Sequence, residues 1–445
     1  MNAIHHDGGV QRRDVLKTGL IATAGWWLTD RAAGATALPA AAGRAKSVIQ
    51  IWMWGGPCHI DTFDPKPNAG YDYVGQLEKD IPTNVDGIRI NENLPLLAKQ
   101  ADKFSVIRSM THGNNAHETA SYIVQTGRKA GDGQVYPCVG AVVSYFKGYG
   151  RGYKGLLPPY IVLTKPQGRF SEAGFLGNKY KPFATGGDPS SRTRFVVEGV
   201  VAEGLTPERQ RARRDLMLGL DTLRAKRADD PEMVDLAKAD EQAYDLILGD
   251  AGKVFDLSEE KDELRDRYGR TKFGQACLVA RRLIERGVPY VTINYDGWDT
   301  HKQHFTAMRR MLPEMDKGFG TLLDDLHQRG LLDTTIVWWG GEFGRTPRVQ
   351  WEPPWNGGRN HFGRVFCHVV AGGGFKGGRV VGATDDKGES VAARPVYPWD
   401  LIGTMYLLLG IDGKATLPHP QGRTVHVSPQ PDEGYEGGGL LTEIV

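Results

Sequence analysis

The sequence predicts a layered α/β fold: a mostly parallel sheet covered by helices on both faces and carrying a helical insert. Three observations point to it. Short continuous apolar runs recur along the chain and read as strands buried on both faces. Segments with helical spacing separate them, as parallel strands require. Polar residues follow nearly every apolar run, and the ends of parallel strands are where such folds gather ligand groups.

Residues 1–37 are set apart from the fold. Arg12-Arg13 precede a short apolar run from Leu20 to Leu28, then an alanine-rich stretch with Ala35-Thr36-Ala37. That is the layout of a secretory signal of the twin-arginine type, and it predicts a periplasmic or extracellular protein. The fold is expected over residues 45–445. "KSVIQIWMWGG" (46–56) reads as the first strand, "FSVIRSM" (104–110) as the second and "PPYIVLT" (158–164) as the third. "TASYIVQTG" and "YPCVGAVVSYFKG" read as helices between them. Gly, Pro, Ser and Arg crowd residues 165–200, and charged helical spacing follows to 248, so an insert is expected at about 165–270. "GQACLVARRLIERG" is an amphipathic helix leading into the strand "VPYVTINYDG" (288–297). A helix over 303–329, the runs "TTIVWWGGEFG" and "VFCHVVAGGG", and a helix over 398–410 complete the pattern.

The bulk numbers exclude several classes. A net charge of +2 gives no reason to expect nucleic acid or an acidic membrane surface. No segment has the roughly 18 consecutive apolar residues of a membrane helix, so no stable span is expected. Cys58, Cys138, Cys277 and Cys367 form no CxxC pair and are expected as buried small residues. There is no haem signature and no internal repeat.

The polar residues after the strands are the candidate site. His59 and Asp61 follow the first strand; His112, Asn114, Asn115, His117 and Glu118 follow the second. "YDGWDTHKQH" follows "VTINY" and supplies Asp296, Asp299, His301 and His304; Glu342 and Arg345 follow "TTIVWWGG", and "GGRNHFGR" adds Asn360 and His361. In a parallel sheet these loops share one edge, so the imidazoles and carboxylates should converge. Such ligands suit a divalent metal: zinc, manganese or iron for imidazoles with carboxylates, and magnesium or calcium where carboxylates dominate. Asp61 serves either as a ligand or as a turn cap, and Glu342 either binds metal or pairs with Arg345 or Arg348. Asp64, before a proline, reads as a turn residue, and His368, inside a strand pattern, as core.

"GGPCHIDTFDPKP", "NNAHETASYIVQTGR", "YDGWDTHKQH", "GGEFGRTPRVQ" and "GRNHFG" resemble, in order, the bacterial family called domain of unknown function 1501, placed among the sulfatases and alkaline phosphatases. The likeness spans nearly the whole mature chain. It implies an alkaline-phosphatase-like fold and metal-assisted cleavage of sulfate or phosphate esters. Thr126-Gly127-Arg128 is similar to the sulfatase Thr-Gly-Arg segment, and counting back from it puts His117 where the nucleophile stands, with Thr119 two positions off. Asp296, His301 and His361 then look like one metal site, and His59, Asp61, His117 and Glu342 rebuild a second with shifted ligands; the "YDGWDTHKQH" loop itself places Asp299 or His304 behind the ligands. Arg128, Arg345 or Arg359 would clamp the anion.

Two functions follow as expectations. One is an exported, metal-dependent hydrolase of sulfate or phosphate esters, acting on a small-molecule or glycan ester. The other is a non-catalytic anion- or glycan-binding protein on the same scaffold.

Overall fold

Ser47–Met53 (β1) is buried at every position and lies near the middle of an eight-stranded sheet. The computed structural model describes residues 40–131, 133–149, 151–165, 172–191 and 250–445, with 208, 209, 212, 215 and 216. The other central strands are Phe104–Met110 (β2), Tyr160–Leu163 (β3), Phe183–Ala184 (β4), Tyr290–Tyr295 (β5), Thr335–Gly340 (β6), Phe366–Ala371 (β7) and Arg379–Val381 (β8). Their order across the sheet is β8-β2-β7-β6-β1-β5-β3-β4. β1 pairs parallel with β5 and β6, β3 with β5 and β4, and β8 with β2. β7 runs antiparallel between β2 and β6. The mostly parallel sheet agrees with the sequence pattern; the short edge strands β4 and β8 carried too few residues to show a period.

Alternation along the strands divides the core into two layers. Ile49, Ile51 and Met53 of β1 face one side, with Val337 and Trp339 of β6. Lys272–Glu285 (α3) and His304–Gln328 (α4) cover that side through residues such as Leu283, Met308 and Phe319. Val48, Trp52, Ile336 and Trp338 face the other side, packed on His117–Thr126 (α1), Val139–Lys147 (α2) and Pro398–Leu408 (α5). The central strands are therefore covered by helices on both sides, the condition for a sheet buried on both faces.

The four cysteines are buried and unpaired. His368 lies fully in the core, where its Nδ1 accepts from Trp338 Nε1–H at 3.0 Å and its Nε2–H donates to the Gly341 carbonyl at 3.0 Å. Among the described residues, no helix is long and apolar enough to cross a membrane. Residues 1–37, expected as a signal, lie outside the described residues, as does most of the insert expected at 165–270.

Candidate metal centre

The parallel strands deliver their following loops to one edge. β1 is followed by Trp54, Gly55 and Gly56; β2 by His112 to His117; β5 by Asp296 to His304; β6 by Glu342 to Arg345. Because β7 runs the other way, the residues before it, including His361, reach the same edge. A short ribbon pairs His361 with Arg345 and Phe362 with Gly344, fixing these two loops to each other.

At their meeting point one atom each of His117, Asp299 and His361 lie within 4.8 Å of one another. His361 Nε2 stands 3.1 Å from Asp299 Oδ1, and His301 Nε2 stands 3.0 Å from the same oxygen. The two imidazoles meet Nε2 to Nε2 at 2.8 Å. His117 Nε2 lies 3.3 Å from Asp299 Oδ2. One carboxylate thus faces three imidazole Nε2 atoms.

The far side of each ring is anchored. His361 Nδ1 donates to the Asn115 carbonyl at 2.8 Å, and a carbonyl can only accept. His301 Nδ1 faces Asn360 Oδ1 at 3.1 Å, and His117 Nδ1 faces Glu342 Oε1 at 2.7 Å. With Nδ1 carrying the hydrogen, a neutral ring presents its Nε2 lone pair to the centre. Oxygen acceptors behind imidazoles orient metal-binding histidines in the same way.

The carboxylates are held equally firmly. Burial raises the pKa of Asp299, but hydrogen bonds with His117, His361 and Arg345 outweigh it and hold the group well below the usual carboxylate range. Hydrogen bonds to Asp299 and then to Glu342 push His117 up to about 9. Glu342 is fully buried: its Oε1 also accepts from Gly55 N–H at 2.9 Å, while its Oε2 is buried without a partner. Trp54 stacks on His117 at 5.8 Å, and Phe343 stacks on His361 at 4.5 Å, so aromatic faces wall the centre.

The glycines of "WGGPCH" allow this crowding. Gly55 has φ +106, and a Cβ there would lie 2.2 Å from Asp299 N; Gly56 has φ +78, and its Cβ would lie 2.3 Å from the Phe343 carbonyl oxygen. A side chain at either would push the neighbouring loop off the strand end.

Over residues 45–434 the chain matches the family described as "Protein of unknown function (DUF1501)". It belongs to that family. No curated protein matches this chain. Solved structures similar to this DUF1501 chain include the lipoteichoic acid synthase LtaP from Listeria monocytogenes, at 9% identity and TM-score 0.37, covering 88% of this chain and 77% of that one. The PsFucS1 sulfatase from Pseudoalteromonas sp. is similar at 14% identity and TM-score 0.35, covering 83% and 68%. Alkaline phosphatase from the Antarctic bacterium TAB5 is similar at 9% identity and TM-score 0.34, covering 74% and 92%.

Several nominated residues of this DUF1501 chain stand elsewhere. Asp296 does not join His301 and His361: it is exposed, lies 3.8 Å from Lys165 Nζ, and lines a separate cleft with Arg310 and Glu314. It is the first residue after β5; the chain must turn over buried Trp298 before an acid reaches the centre, and that acid is Asp299. Asp61 is buried in another network, accepting from Arg359 Nη2 at 3.0 Å and facing His304 Nε2 at 2.8 Å. His59 is buried with Nε2 against the Gly388 carbonyl at 2.9 Å. Neither joins His117 and Glu342. Asp64 is a buried acid beside Lys66 at 3.2 Å and Arg108 at 3.3 Å rather than a simple turn residue.

The arginines are spent internally. Arg128 is buried and bonds Glu433 at 2.6 Å and the His426 carbonyl at 2.5 Å, tying the end of α1 to the C-terminal segment. Arg345 is fully buried on Asp299 and on the carbonyls of Gly55, Gly56 and Arg359. Arg345 positions Asp299; it has no donor face left for a substrate anion. Thr119 lines a cleft with Tyr122, Gln134 and Val135 on the outer side of α1. Asn115 and Asn360 are polar strand-end residues in the sequence; the fold makes them orient histidines, Asn360 through its side chain and Asn115 through its backbone carbonyl. Neither histidine is the neighbour of the asparagine that orients it, and a backbone carbonyl is common to every residue, so no sequence pattern marks these contacts. Trp54 and Phe343 gave no signal, because aromatics at strand ends read equally well as core.

Proposed function

We propose that this protein is an exported, metal-dependent hydrolase of sulfate or phosphate esters, with one divalent cation held by His301, His361, His117 and Asp299. The observation that carries the reading is the common aim of three imidazole Nε2 atoms at one carboxylate, each ring backed by an oxygen acceptor. The donor set fits zinc or manganese, which favour imidazole and carboxylate. Arg12-Arg13 and the apolar run after them support export by the twin-arginine route to the periplasm or beyond.

A bound cation would supply Lewis-acid polarisation of an ester oxygen and acidify water at the site. The chain's own residues do the rest. Arg345 and the ribbon to His361 hold Asp299 at a fixed point. Glu342 fixes the His117 ring and takes its Nδ1 hydrogen. His117 opens α1 with its Nδ1 hydrogen bonded to Glu342, so its Nε2 stays free of a proton and turned toward Asp299 as a ligand atom. No Ser, Thr or Cys touches the centre among the described residues, and water is therefore the nucleophile.

The committed arginines and the missing side-chain nucleophile support a second reading, a non-catalytic anion- or glycan-binding protein. Metal analysis of the exported protein, with a panel of sulfate and phosphate monoesters assayed with and without chelator, tests both. Chelator-sensitive turnover supports the hydrolase. A metal-loaded protein that binds sulfated or phosphorylated ligands in calorimetry and turns none over overturns it in favour of the second reading.

A further inference from the structure

Beside the centre lies a cleft of about 450 Å³, lined by Asp72, Thr346, Arg348, Gln350, Trp351 and Glu352, with Asn360 as the shared wall. Asn360 belongs to both places: its Oδ1 orients His301, while its Nδ2 donates to no described residue. The side chains of Asp72, Arg348 and Glu352 are exposed, and among the described residues none forms a hydrogen bond or ion pair, even with each other. Opposite charges in one cleft that do not pair leave planar donors and acceptors facing solvent.

The cleft is preformed. The buried guanidinium of Arg359 donates to the Thr346 carbonyl at 2.9 Å, to the Tyr73 carbonyl at 2.6 Å and to Asp61 at 3.0 Å. One side chain therefore pins the wall that carries Asp72 and the wall that carries Arg348. Val349 N–H donates to the Asp72 carbonyl at 2.8 Å and closes the floor. Trp351 is clamped between Tyr71, at 4.9 Å and 5°, and Phe305, at 5.5 Å and 13°. A rigid indole edge and several unspent planar polar groups match a ligand with apolar C–H surface and many hydroxyls.

We propose that this cleft binds the polyhydroxylated alcohol part of the substrate, a sugar or a similar polyol, and that Arg348 and Glu352 are its specificity-determining residues. Carboxylate and guanidinium each engage vicinal hydroxyls two at a time, and Asn360 couples the bound ring to His301. The proposal rests on the hydrolase reading for its chemistry, and it has a binding test of its own.

The test uses the full chain loaded with zinc or manganese, glucose 6-sulfate and glucose 6-phosphate as sugar esters, and the 4-nitrophenyl sulfate and phosphate as aryl esters. Melting curves confirm that Arg348→Ala and Glu352→Gln stay folded. Each variant should raise KM for a sugar ester about tenfold, shift kcat little, and lower kcat/KM for the sugar ester about tenfold more than for the aryl ester. Equal losses on both esters, or none, overturn the proposal. If no ester is hydrolysed, the hydrolase reading fails by itself. Calorimetry with glucose 6-sulfate then decides the cleft: about tenfold weaker binding in the variants supports it, and unchanged or undetectable binding to the parent chain overturns it.

Discussion

His301 and His361 face each other Nε2 to Nε2 at 2.8 Å, with each Nδ1 turned to an oxygen acceptor. Two neutral rings so placed direct lone pairs at each other, and Asp299 adds negative charge at 3.0 and 3.1 Å. A shared cation would relieve that repulsion. Chelator should therefore lower the midpoint of thermal unfolding, since a ligand at 100 times its Kd stabilises the folded state by about 2.7 kcal/mol. His301→Ala and His361→Ala should bind less metal and lose most of the chelator effect. Metal content by elemental analysis and melting with and without chelator check this; a chelator-insensitive parent melting curve would sink the assignment.

Asp61, His304 and Arg359 form a buried network, each at most 1% exposed. Burial raises the Asp61 pKa, but Arg359 and His304 outweigh it and keep the acid ionised. Asp61→Ala leaves a buried guanidinium short of its counter-charge, a loss of about 3–5 kcal/mol. Denaturant unfolding should show that loss, while the folded fraction keeps its metal content. A fall in metal with unchanged stability would return Asp61 to the ligand set.

The sheet was legible because its strands are apolar on both faces; β1, β5 and β6 stand where continuous runs of Val, Ile and Trp place them. The convergence of His117, His301, His361 and Glu342 was legible for a related reason: parallel strands bring their following loops to one edge. The split between Asp296 and Asp299 was not. They stand three positions apart, and only the path of the loop over Trp298 decides which one turns inward. Likewise Asp61 and His59 carry ligand chemistry in sequence, yet a buried Arg359 and the Gly388 carbonyl claim them in space. Sequence spacing shows which groups reach an edge, but long-range partners decide which face inward.

Burial lowers the pKa of His368 from 6.5 to about 4. Its two nitrogens are fixed as one acceptor, toward Trp338, and one donor, toward Gly341, so a second ring proton has no place. A folded-state pKa below the unfolded one means that only the unfolded chain takes up a proton between pH 6.5 and about 4. Stability from this group is complete above pH 6.5 and is lost as pH falls through that window, about 2 kcal/mol of it by pH 5. His368→Gln keeps one acceptor and one donor without the titration. Urea unfolding at pH 5 and pH 7.5 should show a smaller acid-side loss in the variant; identical losses would remove His368 as the cause.

Gly55→Ala tests the link between the strand end and the centre. At φ +106, a backbone region that side chains rarely adopt, the added Cβ would stand 2.2 Å from Asp299 N and 2.7 Å from the Trp298 carbonyl carbon. Those contacts are backbone, so no side-chain rotation relieves them. The loop must lift, carrying Asp299 away from His117, His301 and His361, and the Gly55 N–H must leave Glu342. Backbone strain of this kind amounts to about 1–3 kcal/mol. The variant should unfold earlier by that order and bind the cation at least tenfold more weakly, a typical loss when a metal centre's orienting contacts are broken. Gly70→Ala is the control: it also has positive φ, +90, but its Cβ would meet nothing within 4 Å. It should share the strain and leave metal binding unchanged. Equal metal loss in both variants would show that general destabilisation, rather than the position of Asp299, governs the cation.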